Sequence, residues 1–315
     1  MRVFQTVKPG LFTTVQDAGR HGYLKYGVPI SGAMDQFSLT VANLLVANNE
    51  NAACLETTLV GPEFQALAEV QIAITGGICT PKINNQTAPM WQTLTMREGD
   101  VLSFGKMESG CRAYIATRGG INVSLVLGSR STYVRGGFGG NCGRQLKTGD
   151  TISGFDTKPL LNKHRLPEEL IPRFSSHFKA NVVLGPQAEM FTEKGIETFL
   201  SNQYRVTLEA DRMGYRLEGS TIGHMGKADI VSDALLPGAI QVPKNGKPIL
   251  VMKDAQTTGG YPKIAVVVAS DLSSLGQAKP DDRIEFSKTT IGQAHEKSLQ
   301  LRRSLDDLKR TMKNT

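Results

Sequence analysis

Glycine, proline or aspartate interrupts this chain every few residues, and the apolar segments left between them are mostly too short for helices. Residues 70–75 (Val-Gln-Ile-Ala-Ile-Thr), 111–117 (Cys-Arg-Ala-Tyr-Ile-Ala-Thr), 204–208, 249–252 and 264–269 are brief runs rich in β-branched residues. Each reads as a strand, because branched side chains fit a pleated surface and turn residues end the run. Residues 91–102 and 281–286 alternate apolar and polar positions, the period of a half-buried strand. The 33 glycines are aperiodic, which excludes a collagen-like chain and suits many tight turns. At 315 residues the chain is long enough to bury a core without disulfides or metal, and suggests two domains.

Three segments have helical spacing. Residues 33–47 carry a broad apolar face with Ser31 as the predicted N-cap, and residues 187–200 follow Gly185-Pro186. In the basic tail, 290–315, Leu301, Leu305, Leu308 and Met312 form a narrow seam, which predicts a helix docked on its own body or on a second copy, with a calmodulin-like or membrane-surface role as the alternative. Many short strands with few helices predict a mainly β protein with flanking helices, built as two small β-barrels. A repeated turn supports that pairing: Arg97-Glu-Gly-Asp-Val-Leu-Ser-Phe104 and Lys279-Pro-Asp-Asp-Arg-Ile-Glu-Phe286 match in spacing, and Lys147-Thr-Gly-Asp-Thr-Ile152 is a shorter copy. The expected organisation is an N-terminal barrel over 1–155, a Pro- and charge-rich linker over 156–179, a C-terminal barrel over 180–289 and the tail helix.

Charge and motif content narrow the function. Of the net charge of +7, +3 lies in residues 291–315, and no basic block appears in the body, so nucleic acid is not an expected partner. The four cysteines (Cys54, Cys79, Cys111, Cys142) form no C-x-x-C pair, and the five histidines lack metal-ligand spacing, so no metal site is expected. The N-terminus lacks a secretory apolar region and the longest apolar run is far too short to span a membrane; a soluble, cytoplasmic protein is expected. There is no G-x-x-x-x-G-K-[ST] loop, no G-x-S-x-G elbow and no H-E-x-x-H.

Four segments are unusually dense in polar groups and glycine. In Thr14-Val-Gln-Asp-Ala-Gly-Arg-His-Gly22, Asp17 and Arg20 could clamp a turn. Arg118, Arg130 and Ser131, beside the cluster Arg135-Gly-Gly-Phe-Gly-Gly140, are candidates for holding a carboxylate or phosphate, against the plainer reading that the glycines serve tight turns. Asp211, Arg212, Tyr215 and Arg216 put a carboxylate, two guanidiniums and a phenol at a strand exit. Between two apolar strands, Asp254-Ala-Gln-Thr-Thr-Gly-Gly-Tyr-Pro-Lys263 offers the groups a small polar substrate needs. Candidate catalytic residues are Lys263, Tyr261 and Asp254; Gln256, Thr257, Thr258, Gly259 and Gly260 are candidate substrate contacts, as are Asp211, Arg212, Tyr215 and Arg216. Lys263 enters an apolar strand, where desolvation would suit it to acid–base work.

Thr14-Val-Gln-Asp17 with Gly19-Arg20, Gly27-Val-Pro with Ser31-Gly-Ala-Met-Asp35, Leu55-Glu-Thr-Thr-Leu-Val-Gly-Pro62, Gly128-Ser-Arg-Ser-Thr132, Asp211-Arg-Met-Gly-Tyr-Arg-Leu217, Ile240-Gln-Val-Pro243 and Gln256-Thr-Thr-Gly-Gly-Tyr-Pro-Lys-Ile264 together resemble the KipA family. That family is also called the biotin-dependent carboxyltransferase or allophanate-hydrolase subunit 2 family, and includes the C subunit of the bacterial ATP-dependent 5-oxoprolinase. Where it more often shows Asp-Arg-Gln-Thr-Thr, this chain has Asp254-Ala-Gln-Thr-Thr, and nothing after residue 290 matches. The resemblance implies two cyclophilin-like β-barrel domains. It implies two partners, a KipI-like B subunit plus an A subunit, for ATP-dependent opening of 5-oxo-L-proline to L-glutamate. It also implies two alternatives: the carboxyltransferase part of a urea-carboxylase-like enzyme using biotin, and a non-catalytic antagonist of a KipI-like histidine-kinase inhibitor. The two Met-Lys pairs, at 252–253 and 312–313, lie in a candidate strand and in the tail, so no biotinylated segment is expected.

Overall fold

A computed structural model describes residues 1–313, with Lys313 described by its backbone only. The chain forms two compact units. The first comprises Met1–His21, Ser31–Phe174 and the residues from Asp306 onward; the second comprises Gly22–Ile30 and Ser175–Leu305. The change at residue 174 falls inside the stretch read as a linker, while the short 22–30 segment groups with the second unit.

In the first unit the strands form two sheets around one core. One sheet has the order Thr151–Ser153, Arg2–Lys8, Glu63–Ala66, Val101–Ser103, Lys82–Ile83, Gln86–Thr87; the other has Phe12–Gln16, Cys54–Thr58, Ser109–Thr117, Val70–Ile78, Thr93–Met96. Val3, Phe4, Phe64 and Ile152 from the first sheet meet Val15, Leu55, Ile72, Ile74 and Ile115 from the second. The expected ring is therefore two facing sheets here. Val70–Ile78 and Ser109–Thr117 are buried along nearly their whole length, because the core covers one face and helix Gln36–Leu45 the other. That helix begins later than its apolar face suggested. Its N-cap is Asp35, which accepts from the Ser38 N–H at 3.0 Å, whereas Ser31 sits in the preceding loop at φ +54.

A buried polar network fixes the helix entry. The Tyr114 hydroxyl donates to Glu56 Oε2 and accepts from the Asp35 N–H, each at 2.8 Å, and the Met34 N–H donates to the same Glu56 oxygen at 2.9 Å. Burial, then the neighbouring Glu56 charge, pushes the Tyr114 phenol well above its ordinary range, so it stays a donor.

The second unit is a closed seven-stranded barrel: His177–Leu184, Lys263–Val267, Ala239–Gln241, Ile249–Val251, Gly214–Glu218, Gln203–Val206, Arg283–Lys288. Closure comes from the parallel pairing of the first and last of these, with Phe178 opposite Ile284 and Ala180 opposite Phe286. Alternate residues point inward, among them Phe178, Ala180, Tyr204, Val206, Tyr215, Leu217, Ile284 and Phe286. Helix Glu193–Ser201, capped by Thr192, adds Phe199, which stacks on Phe286 with centroids 4.8 Å apart. The helix predicted over 187–200 is thus a 3-10 turn, Ala188–Met190, followed by this shorter helix.

The repeated turn has one physical cause at all three places. Asp100, Asp150 and Asp282 each accept through the side chain from the N–H three residues earlier, at 2.7, 2.8 and 2.9 Å, and each leads into a strand. The residue just before the aspartate takes a positive φ: Gly99 at +88, Gly149 at +90 and Asp281 at +74. The tail forms helix Ile291–Lys313, whose last turns bury Leu308 and Met312 and bring Lys309 Nζ within 3.4 Å of Glu50 Oε2. Asn314 and Thr315, the end of the predicted tail helix, lie outside the described residues. No helix among the described residues is long and apolar enough to cross a membrane.

Two outcomes follow. Phe286→Ala empties the aromatic cluster at the closing strand and should cost about 3–5 kcal/mol in urea unfolding. The three turn aspartates should differ with pH. The Arg144 guanidinium holds Asp150 low, and the Arg97 N–H does the same for Asp100, whereas burial pushes Asp282 up. A lowered carboxyl adds stability above its unfolded value, about 3.9, that is lost as pH falls through the folded value. A raised one loses its contribution as pH rises through the folded value. Unfolding midpoints taken between about pH 3 and pH 7 should therefore show a flatter acid limb for Asp150→Asn, while Asp282→Asn gains on the wild type as pH rises.

Candidate active site

Lys263 opens the barrel strand Lys263–Val267, with His177–Leu184 on one side and Ala239–Gln241 on the other. The chain before Gln187 passes so close that a Cβ on Gly185 would lie 2.2 Å from the Lys263 carbonyl oxygen. Glycine is required there by contact rather than by a turn. The Lys263 side chain is 5% exposed, and its Nζ pairs at 2.7 Å with Asp233 Oδ2, on a side chain that is 50% exposed. Gln187 bridges the two: its Oε1 accepts the Lys263 N–H at 3.2 Å and its Nε2 donates to Asp233 Oδ2 at 3.4 Å. The Lys263 ammonium, and then the Ala234 N–H, hold the Asp233 carboxyl below the usual range.

A two-stranded ladder outside the barrel brings Asp233 to this place. Asp233 pairs with Gly259 and Ala234 with Thr258. The Ile230 N–H donates to the Gly260 carbonyl and the Leu235 N–H to the Thr257 carbonyl, each at 2.9 Å. Gln241, buried in the adjoining strand, donates to the Tyr261 carbonyl at 3.2 Å, while the Tyr261 ring is partly exposed. Thr257 to Gly260 thus serve the ladder through their backbone, and the Gln256 and Thr258 side chains face solvent.

Other candidates are placed in structural roles. Asp254 and Arg212 form a buried two-pronged ion pair, Nε to Oδ2 at 2.8 Å and Nη2 to Oδ1 at 3.1 Å, which pins the 254 loop to the 211–213 turn. Asp254 is therefore a clamp rather than a free acid or base. Asp211 accepts from the N–H groups of Met213 and Gly214 at 2.7 and 3.1 Å, an Asx turn entering the next strand. Tyr215 points into the barrel interior, and the following Arg216 points outward to Glu209 at 2.7 Å.

The expected anion cradle in the first unit is filled by the protein itself. Asp17 accepts from the N–H groups of Gly19 and Arg130 at 2.8 and 2.6 Å and from the hydroxyls of Ser129 and Ser131. Arg20, fully buried, donates to the carbonyls of Val126 and Ser131 and lies 4.9 Å from the Phe138 ring centre. Asp17 and Arg20 thus grip the same 126–131 loop. The Arg130 side chain donates to the Val123 carbonyl and covers Phe155. Arg118 donates to the carbonyls of Val46 and Ala47 and so caps helix Gln36–Leu45. At Gly139, with φ +73, a Cβ would sit 2.1 Å from the Ser131 carbonyl oxygen, so close packing requires glycine there, whereas Gly137 has open space around it and takes a φ of +69.

Sequence reasoning missed Asp233, Gln187 and Gln241. Gln241 lies inside the Ile240-Gln-Val-Pro243 motif and Gln187 follows Gly185-Pro186, but Asp233 stands in an unremarkable Val-Ser-Asp-Ala run that only the ladder brings to Lys263. Among the described residues, no group of three His, Cys, Asp or Glu side chains is placed to hold a metal ion.

Residues 26–288 match the carboxyltransferase domain, subdomain A and B. The chain is 34% identical over 292 residues to the C subunit of the 5-oxoprolinase of Escherichia coli (strain K12), spanning 93% of each. It is 35% identical over 316 residues to the urea amidolyase of Saccharomyces cerevisiae, spanning 95% of this chain but 17% of that protein. The crystal structure of the Kluyveromyces lactis urea amidolyase aligns with a TM-score of 0.92 at 33% identity, over 97% of this chain and 20% of that one. With a match over most of its length and relatives at this identity, the chain belongs to the family of the carboxyltransferase domain, subdomain A and B.

Proposed function

We propose that this chain is the C subunit of an ATP-dependent 5-oxoprolinase, which opens the lactam of 5-oxo-L-proline to L-glutamate. Its partners in that reaction are a KipI-like B subunit plus an A subunit. The observation that carries this reading is its near end-to-end correspondence with the Escherichia coli protein of that name, 93% of each chain. The chemistry at the barrel's mouth, the rim where Lys263 opens its strand and meets Asp233, supports it. The substrate is a small lactam bearing one carboxylate, and a largely enclosed ammonium is a fixed positive charge suited to that group. Lys263 thus anchors and neutralises, in place of the acid–base role its strand position suggested. Tyr261, exposed two residues away, offers a phenol to the lactam carbonyl or the leaving nitrogen.

Ring opening adds a water oxygen to the lactam carbonyl carbon, breaks the C–N bond and places a proton on the departing nitrogen. ATP supplies the drive for attack on an unstrained amide. In the first unit's glycine-rich loop the Arg130 N–H and the Ser131 hydroxyl already hold Asp17, so those two donors are committed within the protein. The exposed apolar residues Val231, Leu236 and Tyr261 flank Asp233 and Lys263 in sequence, and a partner protein lying over them would exclude water from the mouth.

A second reading, a carboxyltransferase acting on urea or a similar amide, is favoured by the TM-score of 0.92 to the Kluyveromyces lactis urea amidolyase. It alone calls for biotin. One assay separates the readings: purify the chain with its A- and B-type partners and follow ADP and glutamate formed from 5-oxoproline. Biotin-dependent carboxylation of urea would move the assignment to the second reading. A tight complex with the KipI-like partner and no turnover would make the chain its antagonist.

In that assay Lys263→Ala should lower kcat/KM by about 100-fold or more without preventing assembly, and Tyr261→Phe by about tenfold. Wild-type rates in both would remove the mouth from the mechanism. Asp254→Ala, by contrast, removes the two-pronged counter-charge of a buried guanidinium and should cost about 3–5 kcal/mol of stability, read as a lowered unfolding midpoint.

A further inference from the structure

The two partners in the Lys263–Asp233 pair are unequally placed. The ammonium is nearly closed off at 5% exposure, while the carboxylate is half open at 50%. A buried cation needs a counter-charge at all times. Here it comes from a segment, Val231 to Ala234, whose four residues are all exposed. Asp233 is lightly held. Its Oδ1 accepts the N–H of its neighbour Ala234 at 2.7 Å, a bond that side-chain rotation gives up and water can replace at this exposed position. Beyond the ion pair, Oδ2 has only the long 3.4 Å contact from Gln187. The backbone on either side is fixed by the ladder to Thr258 and Gly259 and by the burial of Leu235. Rotation of the Asp233 side chain into solvent therefore breaks no backbone hydrogen bond of the ladder.

We propose that Asp233 is an internal stand-in for a ligand carboxylate, and that a small monocarboxylate binds Lys263 by displacing the Asp233 side chain. The proposal rests on the reading of this mouth as the substrate site. Exchange of one carboxylate for another leaves the ammonium paired throughout, so its desolvation is met once, on folding, and not again on binding. Gln187 acts as a positioning residue: its Oε1 is held by the Lys263 N–H, which aims its Nε2 at the place the ligand's oxygen will take. Because Asp233 is tethered, it competes at a high effective concentration, and ligand affinity reports that competition. A neutral amide, which cannot replace the charge, does not bind Lys263 in this way.

The test is calorimetric titration of the full chain with acetate, 5-oxo-L-proline and the carboxylate-free lactam 2-pyrrolidinone. Asp233→Ala and Asp233→Asn should bind both carboxylates about tenfold more tightly than the wild type, with 2-pyrrolidinone unchanged. Lys263→Met, or Lys263→Gln should the former not fold, should abolish carboxylate binding, including in combination with Asp233→Ala. Equal or weaker carboxylate binding in both Asp233 variants, no carboxylate binding by any form, or a gain that survives loss of Lys263 would overturn the proposal. If the carboxylates behave as expected but the complex with both partners does not turn over 5-oxoproline, the 5-oxoprolinase reading fails and the stand-in remains. If the complex turns it over and both Asp233 variants keep the wild-type KM, the stand-in fails and the function remains.

Discussion

The parallel pairing of His177–Leu184 with Arg283–Lys288 is the constraint on which the second unit depends. The other strand pairs in that ring are antiparallel, and without this one the sheet would be open at both edges. Closure sets the register of His177–Leu184, which in turn holds Lys263–Val267 through its other edge. The first residue of that strand is therefore placed by residues nearly 80 positions upstream, and the Gly185 backbone packs directly against its carbonyl. The depth at which Lys263 sits follows from the barrel.

Charge inside this protein falls into two kinds. Asp17 with its hydroxyl and N–H donors, and Arg212 with Asp254, are enclosed on both sides of the interaction. Such groups were desolvated on folding and are satisfied by fixed partners, which makes them clamps for loops. Lys263 with Asp233 differs because one partner is enclosed and the other meets water.

Much of the fold was legible locally. Short β-branched runs became strands within a few residues at 70–78, 109–117 and 263–267, because neither strand length nor turn chemistry depends on distant partners. The three aspartate turns were legible for the same reason: the side chain bonds a backbone N–H only three residues away. Helix starts were less so. Ser31 and Asp35 are both good caps, and the network of Glu56 and Tyr114, remote in sequence, fixes which of them takes the role. The candidate site was half legible. Lys263 and Tyr261 could be singled out from one dense polar loop, but Asp254 in the same loop is committed to Arg212, and Asp233 carries no local signal at all.

By itself the sequence determined the mainly β character, the aspartate turns, the apolar seam of the tail helix and the loop in which Lys263 lies. Each is written in spacing over a few residues, the range over which backbone geometry and side-chain periodicity act. Only the tertiary structure decided that the second unit's strands close into a barrel while the first unit's form two facing sheets. It alone decided which arginines are caps and clamps, and which carboxylate meets Lys263. Those outcomes depend on which groups lose water together, and burial is a property of strands paired across long stretches of chain, which no local pattern records.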